Sequence, residues 1–161
     1  MKLRSLIALA GFCLPAGAHA QAPQTERNVS MSMAQAIIAG VVEECAKSSY
    51  RVSVVIVDKA GQVSAALRGD GTSPHTVEFA RMKAYTARTR NQTSLEFAAA
   101  TASGDAMALR QIPGVIAIGG GVPIRAGSET IGAVGVSGAP GGDKDEVCAR
   151  AGIARVAAAL N

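Results

Sequence analysis

His75 is the residue whose chemistry stands out in this sequence. It is the only histidine after the first twenty residues. The preceding Ser73-Pro74 pair predicts a helix start with a cap and a first-turn proline, which places His75 at the second helical position. The partial positive charge at a helix N-terminus favours the neutral imidazole, whose ring nitrogen can bind a metal or accept a proton. A surface histidine with local hydrogen bonds in a turn fits the same residues equally well.

Four residues close to His75 in the sequence could contact the same ligand. Lys83 and Tyr85 follow on the predicted helix, and Arg68 and Asp70 flank the loop that precedes it. Core or surface packing explains the two helical residues as well as ligand contact does. An ion pair would explain Arg68 and Asp70.

Other kinds of site find less support. The glycines at 119–121 lack the Lys-Ser/Thr of a phosphate loop, and those at 132–138 lie within a predicted strand. Ser137 in GVSGA resembles a nucleophile elbow, but a strand-to-helix turn is missing. No CxxCH motif is present, which excludes covalent haem attachment in its usual form.

The first twenty residues have the three parts of a secretory signal peptide. Lys2 and Arg4 precede the apolar stretch LIALAGFCL, and Ala18-His19-Ala20 forms a small-x-small cleavage site. The apolar stretch is too short to span a membrane, and no later segment is long enough. We therefore expect cleavage near Ala20 and a periplasmic or secreted protein without a membrane anchor. Residues 21–29 are predicted to be a flexible tail and residues 30–161 a single domain.

The charge of the exported chain argues against a nucleic-acid partner. Two of the 16 basic residues lie in the signal peptide, so removing it lowers the net charge from +4 to +2. No Lys/Arg stripe with interleaved aromatic residues accompanies that charge.

Export also leaves an even number of cysteines, Cys45 and Cys148. In an oxidising compartment such a pair favours a disulfide, although two buried thiols are the alternative. Zinc is disfavoured because neither cysteine has a CxxC or CxxH neighbour.

The elements that must position these residues indicate an α+β fold, an antiparallel sheet flanked by helices. Capping boxes at Ser32 and Thr93 predict two helices, Ser73-Pro74 a third, and Asp143 with Glu146 the last. Two short apolar runs around a turn predict a hairpin. Glycine-rich strands are predicted near the C-terminus. The predicted helices span 34–48 and 143–160, with a further helix that starts at 73 and another that starts at 93 and is followed by an extra turn at 105–111. The predicted strands span 51–58, 63–68, 115–119, 120–124 and 130–138.

Three segments together resemble the GlcG/HbpS family of haem-binding and haem-degrading proteins. They read VVIVDKAGQVSAALRGDGTSPHTVEFARMKAYTA, GGGVPI and IGAVGVSGAPGGDKDEVCARAGI, and they occur in order over about residues 51–153. The resemblance implies a profilin-like α+β fold, homo-oligomeric assembly and non-covalent haem binding. It also implies ligand-binding positions at Arg68, Asp70, Lys83, Gly120, Gly121 and Pro123. A role of His75 as the haem-iron ligand is inferred from its chemistry alone.

The resulting hypothesis is an exported protein that sequesters or delivers haem. Haem would lie between the His75 helix and the glycine-rich strands, with iron on His75 and propionates near Arg68 or Lys83. Two alternatives stay open: an enzyme that degrades haem oxidatively, and an oligomeric accessory protein that binds a small metabolite and no haem.

Overall fold

The computed structural model describes residues 22–161, so the predicted signal peptide lies outside the described residues. Four strands form one antiparallel sheet in the order β2-β1-β4-β3, with helices on both faces. The α+β prediction is therefore confirmed. The strands are β1 (Ser53–Asp58), β2 (Val63–Leu67), β3 (Gly121–Ala126) and β4 (Glu129–Ser137), and the helices are α1 (Met31–Lys47), α2 (Thr76–Arg90), α3 (Ser94–Ala100) and α4 (Gly142–Ala154), with 3-10 turns at Asp105–Gln111 and Ala157–Ala159.

One face of the sheet is covered by α2 and is built from small side chains. Val55 and Val57 of β1 and Ala133 of β4 pack against Ala80 and Ala84. All five are fully or almost fully buried. This face brings the backbone of α2 close to the centre of the sheet.

The opposite face packs against α1 and α4. Alternate residues of β1, such as Val54 and Ile56, point to this side, as strand geometry requires. Cys45 of α1 and Cys148 of α4 form a disulfide, with their Cα atoms 5.5 Å apart. The predicted pairing is confirmed, and it links the first and last helices of the domain.

Several predicted boundaries differ from the structure. Ser30 rather than Ser32 caps α1, because its hydroxyl accepts a hydrogen bond from the Met33 amide at 3.2 Å. Helix α2 begins at Thr76, so His75 is its N-cap residue and not its second residue. Residues 115–119 form no strand, and the cap of α4 is Gly141 without a side-chain hydrogen bond. The capping box at Thr93 and Glu96 is confirmed.

The last residues of the predicted tail contact the domain. Asn28 Oδ1 accepts hydrogen bonds from the amides of Val29 and Lys59, at 2.9 and 3.1 Å. Arg27 donates to the carbonyl of Ala126, and the Val29 side chain is buried. Flexibility of the segment that precedes these residues stays a prediction. None of the helices described within 22–161 is both long and apolar enough to cross a membrane.

Candidate functional site

A cleft of about 370 Å³ opens beside His75, where the N-termini of α2 and α4 approach each other. The loop that leaves β4 forms its rim, and Ile118 forms a side wall. The lining residues are Ser73, His75, Thr76, Phe79, Lys83, Ile118, Ser137, Gly138, Ala139, Gly141, Gly142 and Asp145.

His75 lies exposed at the mouth of this cleft. Its ring meets the edge of Phe79, with centroids 4.8 Å apart and planes at 70°. The imidazole does not cap α2, and it makes no hydrogen bond to another residue in the described part of the chain. Its nitrogens are therefore available to a ligand.

Buried hydroxyl groups hold the loop that carries His75. Ser53 Oγ on β1 lies 2.8 Å from Thr76 Oγ1 and 3.3 Å from Thr72 Oγ1. Thr72 and Thr76 in turn donate to the carbonyls of Gly69 and Ser73. These bonds tie both ends of the loop to the sheet, which fixes the position of the imidazole.

The floor of the cleft contains a buried ion pair. Lys83 Nζ donates to Asp145 Oδ2 at 2.7 Å and to the Val136 carbonyl at 3.0 Å, and the two charged side chains are 2 % and 3 % exposed. Asp145 Oδ1 accepts from the Ala139 amide at 3.0 Å. Burial raises the pKa of the Asp145 carboxyl above its ordinary value, and the Lys83 ammonium opposes that rise.

Positions 120 and 121, which lie against the Lys83–Asp145 pair, require glycine. A Cβ atom on Gly120, whose φ is 114°, would lie 2.7 Å from Asp145 Cβ and 3.1 Å from Lys83 Nζ. A Cβ atom on Gly121 would overlap the carbonyl oxygen of Lys83. The two predicted glycines thus support the cleft by allowing β3 to approach α2, and they do not line it.

The other predicted site residues lie elsewhere. Arg68 and Asp70 are exposed outside the cleft lining and form no ion pair with each other, and Arg68 donates to the Thr72 carbonyl at 3.3 Å. Tyr85 packs its ring against the backbone of Gly61 and Gly114. Pro123 lines a separate open cavity of about 650 Å³, together with Arg125 and Arg150. The cleft therefore brings together His75 and Lys83, but not these four residues.

Most residues that build the cleft were missed in the sequence, among them Phe79, Ile118, Ala139 and Asp145. Phe79 is one turn after His75, a spacing that could have identified it. Ile118, Ala139 and Asp145 come from distant segments, and their proximity depends on β4 pairing with β1.

The fold and the cleft define a small α+β domain that can bind a ligand against an exposed imidazole. Residues 29–154 match the family model described as haem degrading protein HbpS-like. The chain belongs to this family, which confirms the resemblance seen in the sequence.

Known relatives agree with this assignment. Protein GlcG of Escherichia coli K12 is 32% identical over 114 residues, which cover 71% of this chain and 84% of that protein. The structure of an HbpS double mutant from Streptomyces reticuli has a TM-score of 0.76 and 35% identity, covering 91% of this chain and 97% of that one. A structure of PduOC in complex with haem has the same fold, with a TM-score of 0.75 and 23% identity over 81% of this chain and 96% of that one.

Proposed function

We propose that this protein binds haem outside the cytoplasm and sequesters or delivers it. The observation that carries the proposal is an exposed, uncommitted His75 imidazole at the mouth of a cleft, in a member of the HbpS-like family. A ring nitrogen of His75 would hold the haem iron, and bound haem would supply a Soret band and an iron centre that can react with oxygen.

The walls of the cleft suit one edge of a porphyrin. Phe79, Ile118 and Ala139 offer apolar surface beside the imidazole. The volume of about 370 Å³ is at the lower end of the range of about 300–1,000 Å³ for ligand pockets. We therefore expect the cleft to hold part of the macrocycle, with the remainder exposed or covered by a second copy in the homo-oligomer that the family resemblance implies.

Titration with haemin tests the proposal. Adding haemin to the purified protein should give a shifted, saturable Soret band with one haem per chain. Free haemin in the same buffer, and haemin with an unrelated protein of similar charge, are the controls. An absorbance spectrum identical to that of free haemin would contradict haem binding and support the accessory protein that binds a different metabolite.

A second candidate function is oxidative haem degradation, which the family description favours. His75 would hold the haem iron, and the open cleft beside it would admit oxygen or peroxide. Incubating the haem-loaded protein with ascorbate in air, with and without catalase, distinguishes haem sequestration from haem degradation. Stable Soret absorbance indicates sequestration, whereas bleaching with release of chelatable iron indicates turnover.

Export is supported by the predicted signal peptide and by the disulfide, which oxidising compartments favour. Cell fractionation with N-terminal sequencing tests it, and a mature chain that begins at Gln21 is expected. Alkylation before reduction should label no thiol in this protein, and alkylation after reduction should label Cys45 and Cys148. Full-length protein retained in the cytoplasm would contradict export.

A further inference from the structure

Two long helices point their N-termini into the His75 cleft without a side-chain cap. Helix α2 has 15 residues and begins at Thr76, with His75 as its N-cap residue. Helix α4 has 13 residues and begins at Gly142, with Gly141 as its N-cap residue, and all four of these residues line the cleft. Within residues 22–161, neither N-cap side chain accepts a hydrogen bond from its own helix. The Thr76 amide donates to the Ser73 carbonyl, but the other first-turn amides, at 77–78 in α2 and 142–144 in α4, can donate to an added acceptor.

A second observation comes from Ser137, at the end of β4. This residue is 5 % exposed, lines the cleft, and makes no side-chain hydrogen bond to any residue that the structure describes. It pairs with Ser53 across the sheet and faces the same side as α2. The hydroxyl oxygen itself is open to the cleft, so a ligand atom that enters the cleft can form a hydrogen bond with it.

The charges of the floor define which ligand atom fits. The Lys83 ammonium is neutralised by Asp145, and the exposed Asp143 and Lys144 in the first turn of α4 carry opposite charges. The site thus offers hydroxyl and amide donors with no net side-chain charge, which suits an anion of single charge better than a doubly charged phosphate. The apolar walls at Phe79 and Ile118 suit an alkyl arm attached to that anion.

We infer that the floor of this cleft is a carboxylate site and that it receives one propionate arm of the bound tetrapyrrole. Ser137 Oγ and the first-turn amides of α2 and α4 donate to the carboxylate, and the Lys83–Asp145 pair fixes the distance between the two helices. Arg68, exposed outside the cleft, does not take part in this site. The inference rests on the proposed haem-binding function and specifies how one end of the haem is held.

Esterified haem tests the inference with the natural protein. Hydrogen bonds to a charged group are strong enough that the wild type should bind haemin about tenfold more tightly than haemin dimethyl ester. The variant Ser137→Ala should lose most of that preference. Ser103→Ala, which removes the same hydroxyl group at an exposed position outside the cleft, is the matched control and should keep it. Equal affinity of the wild type for haemin and its ester overturns the inference while leaving haem binding intact.

A titration without haem keeps the two proposals separable. Sodium propionate should give saturable amide shifts in an NMR spectrum at residues 75–78 and 137–143, and Ser137→Ala should weaken them. Local shifts without any haemin binding would support the carboxylate site and contradict the proposed function. Uniform or absent shifts, or saturation by inorganic phosphate at a lower concentration than by propionate, would overturn the carboxylate assignment. If Ser137→Ala fails to fold, the comparison of haemin with its ester in the wild type decides.

Discussion

Lys83 Nζ and Asp145 Oδ2 lie 2.7 Å apart in the interior, and they join α2 to α4 beneath the cleft. Lys83 also donates to the Val136 carbonyl, so the same ammonium group binds the end of β4. Three elements that line the cleft are thus held by one side chain. The ion pair therefore determines the geometry of the site as well as the stability of the fold.

Removal of Lys83 should destabilise the protein strongly. Lys83→Met leaves Asp145 buried without its partner, which typically costs about 3–5 kcal/mol of the free energy of unfolding. Urea denaturation measures this loss. Lys47→Met is the control, because Lys47 pairs with Glu44 at the surface and such pairs contribute about 0–1 kcal/mol. Adding Asp145→Leu to Lys83→Met should recover part of the loss, and a Lys83→Met variant as stable as Lys47→Met would contradict the prediction.

The pKa of Asp145 predicts how stability depends on pH. In the unfolded chain the carboxyl has its ordinary pKa of 3.8, and in the folded protein burial raises that pKa. Between the two pKa values the folded state binds more protons, so stability falls as pH rises. The contribution of Asp145 is therefore fully present below pH 3.8 and is lost as pH rises through the folded pKa.

Comparison with Asp145→Asn isolates this contribution. The free energy of unfolding of the wild type minus that of the variant should decrease as pH rises from about 3 upward, because asparagine does not titrate. Chemical denaturation at a series of pH values measures it. A difference that increases over the same range would show that attraction to Lys83 outweighs burial.

Gly135 should be intolerant of any side chain. An added Cβ atom would overlap the carbonyl oxygen of Ala80, because α2 lies directly on β4. Gly135→Ala should lower the free energy of unfolding by about 1–3 kcal/mol or more. Gly127→Asn is the control, since nothing lies within 4 Å of its Cβ position and asparagine tolerates its φ of 63°. Thermal unfolding that is unchanged in Gly135→Ala would contradict this close contact.

Local patterns in the sequence predicted much of the fold. The hairpin of β1 and β2 follows from two apolar runs around a turn, where the Gly61 amide donates to the Asp58 carbonyl. The capping box at Thr93 and Glu96 depends only on residues three apart. The disulfide followed from counting the cysteines that lie outside the predicted signal peptide. Each of these features is determined by neighbours in sequence or by composition.

Features that depend on tertiary contacts were harder to predict. Residues 115–119 are as apolar as a strand, but they form irregular structure, and Ile118 from this segment lines the cleft. Packing and ligand contact both fitted Lys83 in the sequence, and the structure buries it at the cleft floor because Asp145, 62 residues away, compensates its charge. No local pattern identifies such a partner. Pro123 was predicted from a family motif and Tyr85 from its position on the His75 helix, and the fold places both outside the cleft lining.

Loss of the disulfide should cost a large part of the stability. Cys45 and Cys148 close a loop with a sequence separation of 103, and removing a native disulfide typically costs about 2–5 kcal/mol. The double variant Cys45→Ala/Cys148→Ala should show this loss in urea denaturation. Wild-type protein unfolded with a reductant present should show a similar loss, which controls for the alanine substitutions. Equal stability with and without reductant would contradict a stabilising role.

Substitution of His75 should weaken haem binding without weakening the fold. The imidazole neither caps α2 nor makes a hydrogen bond among the described residues, so His75→Ala should change the free energy of unfolding by only about 0.5 kcal/mol. If His75 holds the haem iron as proposed, loss of its ring nitrogen should lower haemin affinity by about tenfold or more and move the Soret band. Absorbance titration measures both the affinity and the band position, and free imidazole added to the variant should restore the band.

Met107→Ala is the control, because that methionine is 50 % exposed, lies outside the cleft and carries a sulfur that can also bind iron. Unchanged affinity and Soret position in His75→Ala would show that another group binds the iron.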